Sequence, residues 1–307
     1  MNRIVTSKPY RSCVKFVNTH FPVTMAQMRY YKEFGRFLDL KNPRDLNEKI
    51  HWLSLYSDTT EWTRCADKYA VRSFVEERGM ADTLVKFYGV WDNVDDIEWN
   101  TLPQSFVLKT TNGSGTVLVV KDKSKLDIPE TNKMLKKWMM MRIGEETTEF
   151  HYQGIPPRLI AEEFVEQSEE DNMISTSLID YKIWCFNGKA HYIWTCINRV
   201  IGCTYVSMFD RNWNYHPEMS VFNEHYREAS TLVPKPKKLD DMLMVAERLS
   251  AGFPEVRVDL YYTNDKIYFG EMTFTSLGGT MDFYTQEALL SMGQLIDLSG
   301  VKKKTER

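Results

Sequence analysis

The chain has 307 residues, 43% hydrophobic and 26% charged, an ordinary globular composition with room for two or three compact lobes. A formal net charge of −3 provides no overall basic field, which disfavours nucleic acid as a partner. The five cysteines are odd in number and form no CxxC pair, which argues against a disulfide framework or structural zinc and fits a reducing cytoplasm.

The first 21 residues are basic but carry no continuous apolar h-region, and no apolar run approaches the roughly 18 residues of a transmembrane segment. The closing VKKKTER reads as a frayed, solvated tail rather than a membrane contact. Residues 36–100 read as mainly helical. Asp45 and Glu48 have capping-box spacing, Leu46, Ile50 and Leu53 recur at helical intervals, and a second helix is expected from about Asp67 through Val75 with Gly79 ending it. The pattern then changes: SFVLKTT and TVLVVKD are short β-rich runs around NGSG, a hairpin with a flexible tip. Residues 129–141 place Leu135, Trp138 and Met139 on one helical face before RLIAEEFV resumes strand character.

QSEEDNMISTS reads as a loose polar segment. IDYKIWCF and KAHYIWTCI flank Asn187-Gly188, a strong hairpin signal. A helix from Leu239 to Ala251 follows, with Met242, Leu243, Ala246 and Leu249 as its stripe and Gly252 as its stop, and VRVDLYYTNDKIYFGEMTF then makes two strands around a short turn. No internal repeat occurs. The domains expected are a mostly helical region over 1–103, a small lobe over 104–165 and a large lobe over 166–307.

Several chemistries lack their motifs. There is no GxxxxGK[ST], GxGxxG, GxSxG or HExxH, the six histidines show no i,i+4 pair, and no two aspartates stand two apart. A triphosphate site without a P-loop needs lysines, backbone N–H donors and metal-bearing carboxylates from elsewhere, and four segments offer them. In FVLKTTNGSG, Lys109 ends a strand and Asn112, Gly113, Ser114 and Gly115 let backbone amides approach phosphate; an exposed lysine before an ordinary turn is the plainer reading. LIAEEFVEQ has two adjacent carboxylates after an apolar strand where an adenine could lie, or is a strand running into an acidic loop. Lys182 in Asp180-Tyr181-Lys182 faces phosphate or is one solvated lysine on an amphipathic strand. Arg257 and Asp259 share one strand face, as do Glu271 and Thr273 on the next, which is either a purposeful buried site or a polar sheet surface.

Such a metal site requires Asp259 and Glu271 to meet across adjacent antiparallel strands. A two-residue loop at Asn264-Asp265 pairs residue 259 with 270, so a three-residue loop over 264–266 is expected, setting 259 opposite 271.

In this order, from about residue 36 to 280, the four segments resemble the ATP-grasp superfamily. The strings LKNPRDLNEKIHWL, ADKYAVR, FVLKTTNGSG, RLIAEEFVE, DYKIWCFNGKA, FPEVRVDLY and IYFGEMTF resemble its TupA-like branch, associated with teichuronopeptide and other surface-polysaccharide biosynthesis. The resemblance implies an α+β ATP-grasp fold, two lobes with antiparallel sheets clasping ATP behind a mostly helical N-terminal region. It implies Lys109 as an α-phosphate ligand, residues 112–115 as the phosphate loop, and Glu162, Glu163 and Val165 as the adenine hinge. Glu169, or else Glu166, would hold the ribose, Lys182 would touch phosphate, and Asp259 and Glu271 would hold Mg²⁺. Arg257 would steady the transferring phosphoryl group, and Thr273 stands where the superfamily usually has a metal-binding asparagine. The function implied is ATP-dependent joining of a carboxylate, small-molecule or glycan, to an amine, with a sugar acid of a surface polysaccharide as the carboxylate. The enzyme would be cytoplasmic and associated with membrane-bound polysaccharide-assembly enzymes. A glycosyl or phosphoryl transferase of polysaccharide assembly, or a non-catalytic nucleotide-binding module, are the alternatives.

Overall fold

The computed structural model describes residues 8–113 and 115–304. The chain divides into two compact bodies: a smaller one of Thr60–Gly144 and Phe150–Glu166, and a larger one of Met1–Thr59, Glu145–Glu149 and Gln167–Arg307.

Three helices open the larger body: α1 (Lys8–His20), α2 (Pro22–Phe34) and α3 (Leu46–Tyr56). The capping box at α3 forms as its spacing predicts, Asp45 accepting from the Glu48 amide at 2.9 Å while the Glu48 carboxylate turns back to the Asp45 amide. The smaller body follows with α4 (Thr60–Ala66) and α5 (Ala70–Glu77). Asp67 accepts from the amides of Tyr69 and Ala70 in the turn leading into α5, and Gly79, with φ of +71°, ends the helix as expected. The helical reading fails beyond that point: β1 (Phe87–Trp91) is a strand, because its aromatic and β-branched run is half-buried and pairs with β4 (Leu159–Glu162). Between them come β2 (Phe106–Thr110), β3 (Val117–Val120) and α6 (Ile128–Met139), giving an antiparallel sheet of order β1-β4-β2-β3. Phe106, Leu108, Leu159, Ala161 and the fully buried Leu135 of α6 form its core.

The chain returns to the larger body at α7 (Glu169–Ile174), a short helix where a loose segment is expected; Ser168 caps it by accepting from the Asp171 amide at 3.0 Å. A six-stranded sheet follows, β5 (Asp180–Phe186), β6 (Lys189–Val200), β7 (Cys203–Asp210), β8 (Tyr226–Glu228), β9 (Glu255–Thr263) and β10 (Lys266–Thr273), in the order β10-β9-β5-β6-β7-β8. It is antiparallel except for β7–β8. Asn187 and Gly188, both at positive φ, close the β5–β6 turn as their dipeptide predicts. α8 (Leu239–Ser250) packs on β5, β6 and β9 through the expected stripe of Met242, Leu243, Ala246 and Leu249. On the face carrying Trp184 and Phe186, α3 contributes Leu46 and Ile50, and α9 (Gln286–Gln294) contributes Leu289 and Met292.

The β9–β10 turn differs from expectation and still delivers the expected register. Its loop has two residues, Asn264 and Asp265 at φ of +50° and +57°, pairing Thr263 with Lys266. A bulge at Gly270 then absorbs one residue, so that Leu260 pairs with Phe269 and Asp259 pairs with Glu271. Only glycine fits there, since a Cβ would lie 2.9 Å from the Asp259 carbonyl oxygen and 3.1 Å from the Tyr261 ring.

Candidate active site

In the larger body, period-two alternation puts Asp180 and Lys182 of β5, and Arg257 and Asp259 of β9, on one face, with Lys182 opposite Asp259. Asp259 is 2% exposed, and both its oxygens are taken. Arg257 grips it in a fork, Nε to Oδ1 at 2.6 Å and Nη2 to Oδ2 at 2.7 Å, and the Lys182 ammonium also donates to Oδ2. Lys182 pairs with Asp180 as well, at 2.8 Å, and Asp180 receives Arg199 at 2.8 Å. Arg257 further donates to the Ser276 hydroxyl at 2.8 Å, the Thr273 hydroxyl at 3.1 Å and Glu271 at 3.5 Å. Glu271, across the bulge, is 46% exposed and is the accessible carboxylate of the group.

Burial by itself would raise the Asp259 carboxyl, but Arg257 and Lys182 hold it below the usual carboxylate range. Burial would likewise discharge Lys182, and Asp180 and Asp259 reverse that, keeping the ammonium charged above its ordinary pKa. The result is a buried cluster in which Lys182 and Arg257 meet the side chains of Asp180 and Asp259, beside the accessible side chain of Glu271. The charges of the group nearly cancel, so it would meet a polyanion together with an added cation, and the exposed Glu271 carboxylate is a hard oxygen donor suited to magnesium. Asp180 and Ser276 are members that the sequence reading did not single out. Asp180 was legible, since it lies one period from Lys182, whereas Ser276 comes from a turn whose course the strand pattern does not define.

Glu169, the first residue of α7, is not in this cluster. It stands at the turn end of β9, beside an open groove of about 520 Å³ lined also by Lys235, Lys237 and Tyr262.

In the smaller body, β2 and β4 bring Lys109 and Glu162 together at 3.0 Å, and Arg72 of α5 pairs with the same carboxylate at 2.9 Å. The Glu162 side chain is thus committed to two cations. Glu163 exchanges bonds with Lys86, its amide to the carbonyl at 2.9 Å and its carboxylate from the amide at 3.2 Å, and Val165 is half-buried beyond it. In the 112–115 segment, Ser114 lies outside the described residues. Asn112 is buried, its side chain donating to the Met141 carbonyl at 3.4 Å. Gly113 is required: a Cβ would come within 2.2 Å of the Thr110 and closer still to the Thr116 hydroxyl, which bond each other across the hairpin. Gly115 adopts φ of +72° in open space. Lys68 donates to the Gly113 carbonyl at 2.6 Å, putting a second cation at the loop. It sits in ADKYAVR, where a lysine followed four residues later by the arginine that grips Glu162 was the available signal.

A family profile described as TupA-like ATPgrasp matches residues 48–297. No curated protein matches the chain. Among solved structures, the chain is similar to the D-alanine–D-alanine ligase from Bacillus anthracis complexed with ATP (13% identity, 71% of this chain and 56% of that one, TM-score 0.40). It is also similar to biotin carboxylase from Campylobacter jejuni (11% identity, 81% and 52%, TM-score 0.43) and to N5-carboxyaminoimidazole ribonucleotide synthetase from Thermus thermophilus (12% identity, 74% and 51%, TM-score 0.43). The chain thus spans little more than half the length of these three.

Proposed function

The chain belongs to the TupA-like ATP-grasp family, and from that premise we propose that it is an ATP-dependent ligase joining a carboxylate to an amine. The observation that carries this reading is the ionised Lys182–Asp259–Arg257 cluster facing Glu271 and Thr273.

A carboxylate is a poor electrophile because its leaving group would be oxide. Attack of one carboxylate oxygen on the γ-phosphorus of ATP releases ADP and gives an acyl phosphate; the amine nitrogen then attacks the acyl carbon, phosphate leaves, and the amine loses a proton. No protein nucleophile is needed, which accords with a cluster built from cations and carboxylates. Glu271 and the Thr273 hydroxyl are the oxygen donors that would hold Mg²⁺, which supplies neutralisation of phosphate charge, and Asp259 would join them on exchanging one of its bonds from Arg257 or Lys182 for the metal. Lys182, kept charged by Asp180, would hold phosphate, and Arg257, anchored on Ser276, would steady the transferring group. On the smaller body, Lys109 and Lys68 would take phosphate at the 112–115 loop, with Glu162, Glu163 and Val165 along the adenine; Glu169, or else Glu166, would be the ribose residue. The carboxylate is proposed to be a sugar acid of a surface polysaccharide and the amine an amino acid or simple amine, acted on in the cytoplasm; that choice follows from the association of the TupA-like branch with surface-polysaccharide biosynthesis. Association with membrane-bound polysaccharide-assembly enzymes belongs to the same proposal.

A screen for ADP release over pairs of sugar acids and amines tests it. With the correct carboxylate, ATP and hydroxylamine in place of the amine, a hydroxamate should accumulate. Saturating Mg-ATP should raise the melting midpoint, because a ligand that binds only the folded state stabilises it. Sugar transfer from a sugar nucleotide without ATP would replace the ligase reading by a transferase. Stabilisation by Mg-ATP without turnover on any pair would reduce the protein to a nucleotide-binding module.

A further inference from the structure

The turn Ser276–Gly279, just beyond β10, has a backbone that persists only under constraint. Leu277, Gly278 and Gly279 follow one another at φ of +47°, +63° and +76°. Glycine takes such angles freely, but a leucine does not, and the Leu277 side chain is 53% exposed, so burial does not offset the strain. A strained turn of this kind is kept where its surroundings hold it and its shape serves the site beside it.

What the turn delivers is Ser276. Among the described residues the Arg257 guanidinium bonds to Asp259, Glu271 and Thr273, all on β9 and β10, and to one group from outside those strands, the buried Ser276 hydroxyl, at 2.8 Å from Nη1. The fork onto Asp259 uses Nε and Nη2, so Ser276 is what holds the remaining nitrogen.

Three side chains of the larger body hold the turn. From α3, Asn47 brackets Met281, accepting from its amide at 3.1 Å and donating to its carbonyl at 3.3 Å, and His51 packs against Gly279, where a Cβ would come within 2.9 Å of Nε2. These two fix the end of the turn. Its start is fixed by Glu149, which accepts from the Thr275 hydroxyl at 2.7 Å through one oxygen and from the Thr147 hydroxyl at 3.0 Å through the other. The same carboxylate lies 3.7 Å from where a Cβ on Gly278 would stand. Both its oxygens receive hydroxyl protons, a task that an amide matches only in part because its nitrogen cannot accept.

We propose that Glu149 is a positioning residue for the reaction: by fixing Thr275 it sets the Ser276 hydroxyl, and through it the direction of the Arg257 guanidinium. This rests on the ligase reading, in which Arg257 steadies the transferring phosphoryl group. The test compares kcat, KM for ATP and the melting midpoint in Thr275→Val, Glu149→Ala, Glu149→Gln and Ser276→Ala. Thr275→Val, which nearly keeps the shape and removes the hydroxyl, should lower kcat about 10- to 10²-fold and change KM for ATP by less than about twofold. Glu149→Ala should match it, and Glu149→Gln, which keeps one accepting oxygen, should lose less. Thr275→Val added to Ser276→Ala should cost little more than Ser276→Ala alone, because both break one chain of contacts, whereas independent losses multiply. Unchanged kcat in folded Thr275→Val, or losses that multiply in the double variant, overturns the proposal. A parent that turns over no pair of carboxylate and amine ends the ligase reading, and the positioning is then decided without turnover. In protein labelled with ¹⁵N in its arginine side chains, the Nη1 hydrogens of Arg257 should give separate signals that average in Thr275→Val; a spectrum that this variant leaves as it was overturns the proposal.

Discussion

Asp259 is the residue on which the cluster turns, because it is the counter-charge shared by Lys182 and Arg257. Removing one partner of a buried ion pair leaves the other uncompensated, at a typical cost of about 3–5 kcal/mol. Asp259→Asn is therefore expected to lower stability by an amount near the low end of that range, since Asp180 still holds Lys182 at 2.8 Å; chemical denaturation measures it. Arg257→Ala removes the other partner of the pair and should also cost stability, tempered by the Lys182 bond to Asp259; in the folded fraction it should reduce kcat by about 10²- to 10³-fold while weakening ATP binding much less. An Arg257→Ala enzyme with unchanged kcat would remove that side chain from the chemistry. Glu255, two residues before Arg257, behaves differently. It is fully buried, neither oxygen has a hydrogen-bond partner among the described residues, and burial holds its pKa well above 4.5 despite the nearby guanidinium. Its folded form keeps a proton that the unfolded chain gives up, so it binds more protons folded than unfolded. Stability is then lost as pH rises above about 4.5, by up to about 1.4 kcal/mol per pH unit until the folded pKa is reached. Glu255→Gln removes the ionisation, and its melting midpoint should exceed that of the parent by more at pH 8 than at pH 5.

At the scale of elements, the β9–β10 hairpin shows how register and function are coupled. Asn264-Asp265 selects a two-residue turn, which by parity alone sends Glu271 to the face opposite Asp259. The bulge at Gly270 restores the parity. Two variants separate these devices. Deleting Gly270 leaves Glu271 opposite Asp259 in a regular ladder, so ATP turnover should largely survive. Gly270→Val puts a branched side chain where even a Cβ lies 2.9 Å from the Asp259 carbonyl oxygen, which favours the unbulged register and turns Glu271 away. Turnover by the valine variant should fall well below that of the deletion, and the reverse order would show that the bulge does not set the site.

For the molecule as a whole, the five cysteines report on both bodies at once. Cys13 is exposed and Cys203 partly so, whereas Cys65, Cys185 and Cys196 are buried and each has its thiol pushed up by burial to about 12. All five are free thiols. A disulfide-exchange reagent at pH 8 should therefore modify Cys13 quickly and Cys203 more slowly, and reach the other three only after unfolding. Rapid modification of Cys185 or Cys196 in folded protein would mean that the six-stranded sheet opens in solution. Reducing agent should leave the melting midpoint unchanged.

The elements legible from sequence were those whose signals are local. The Asp45–Glu48 box, the Gly79 stop, the Asn187-Gly188 hairpin and the Leu239–Ser250 stripe depend on residues a few positions apart, and period-two alternation alone puts Arg257 beside Asp259. What the tertiary structure decided were matters of partner and of counting. β1 is a strand because β4 lies beside it, and Asp180 matters because Lys182 and Arg199 both converge on it. Glu162, which reads from sequence as an adenine contact, has its side chain taken by Lys109 and Arg72. α1 is seated through Asn18 on the carbonyls of Glu145 and Thr147, in a segment more than 120 residues away in the chain. Local periodicity specifies which face of an element is apolar, but a long-range contact decides whether that face is turned to a core or to the outside.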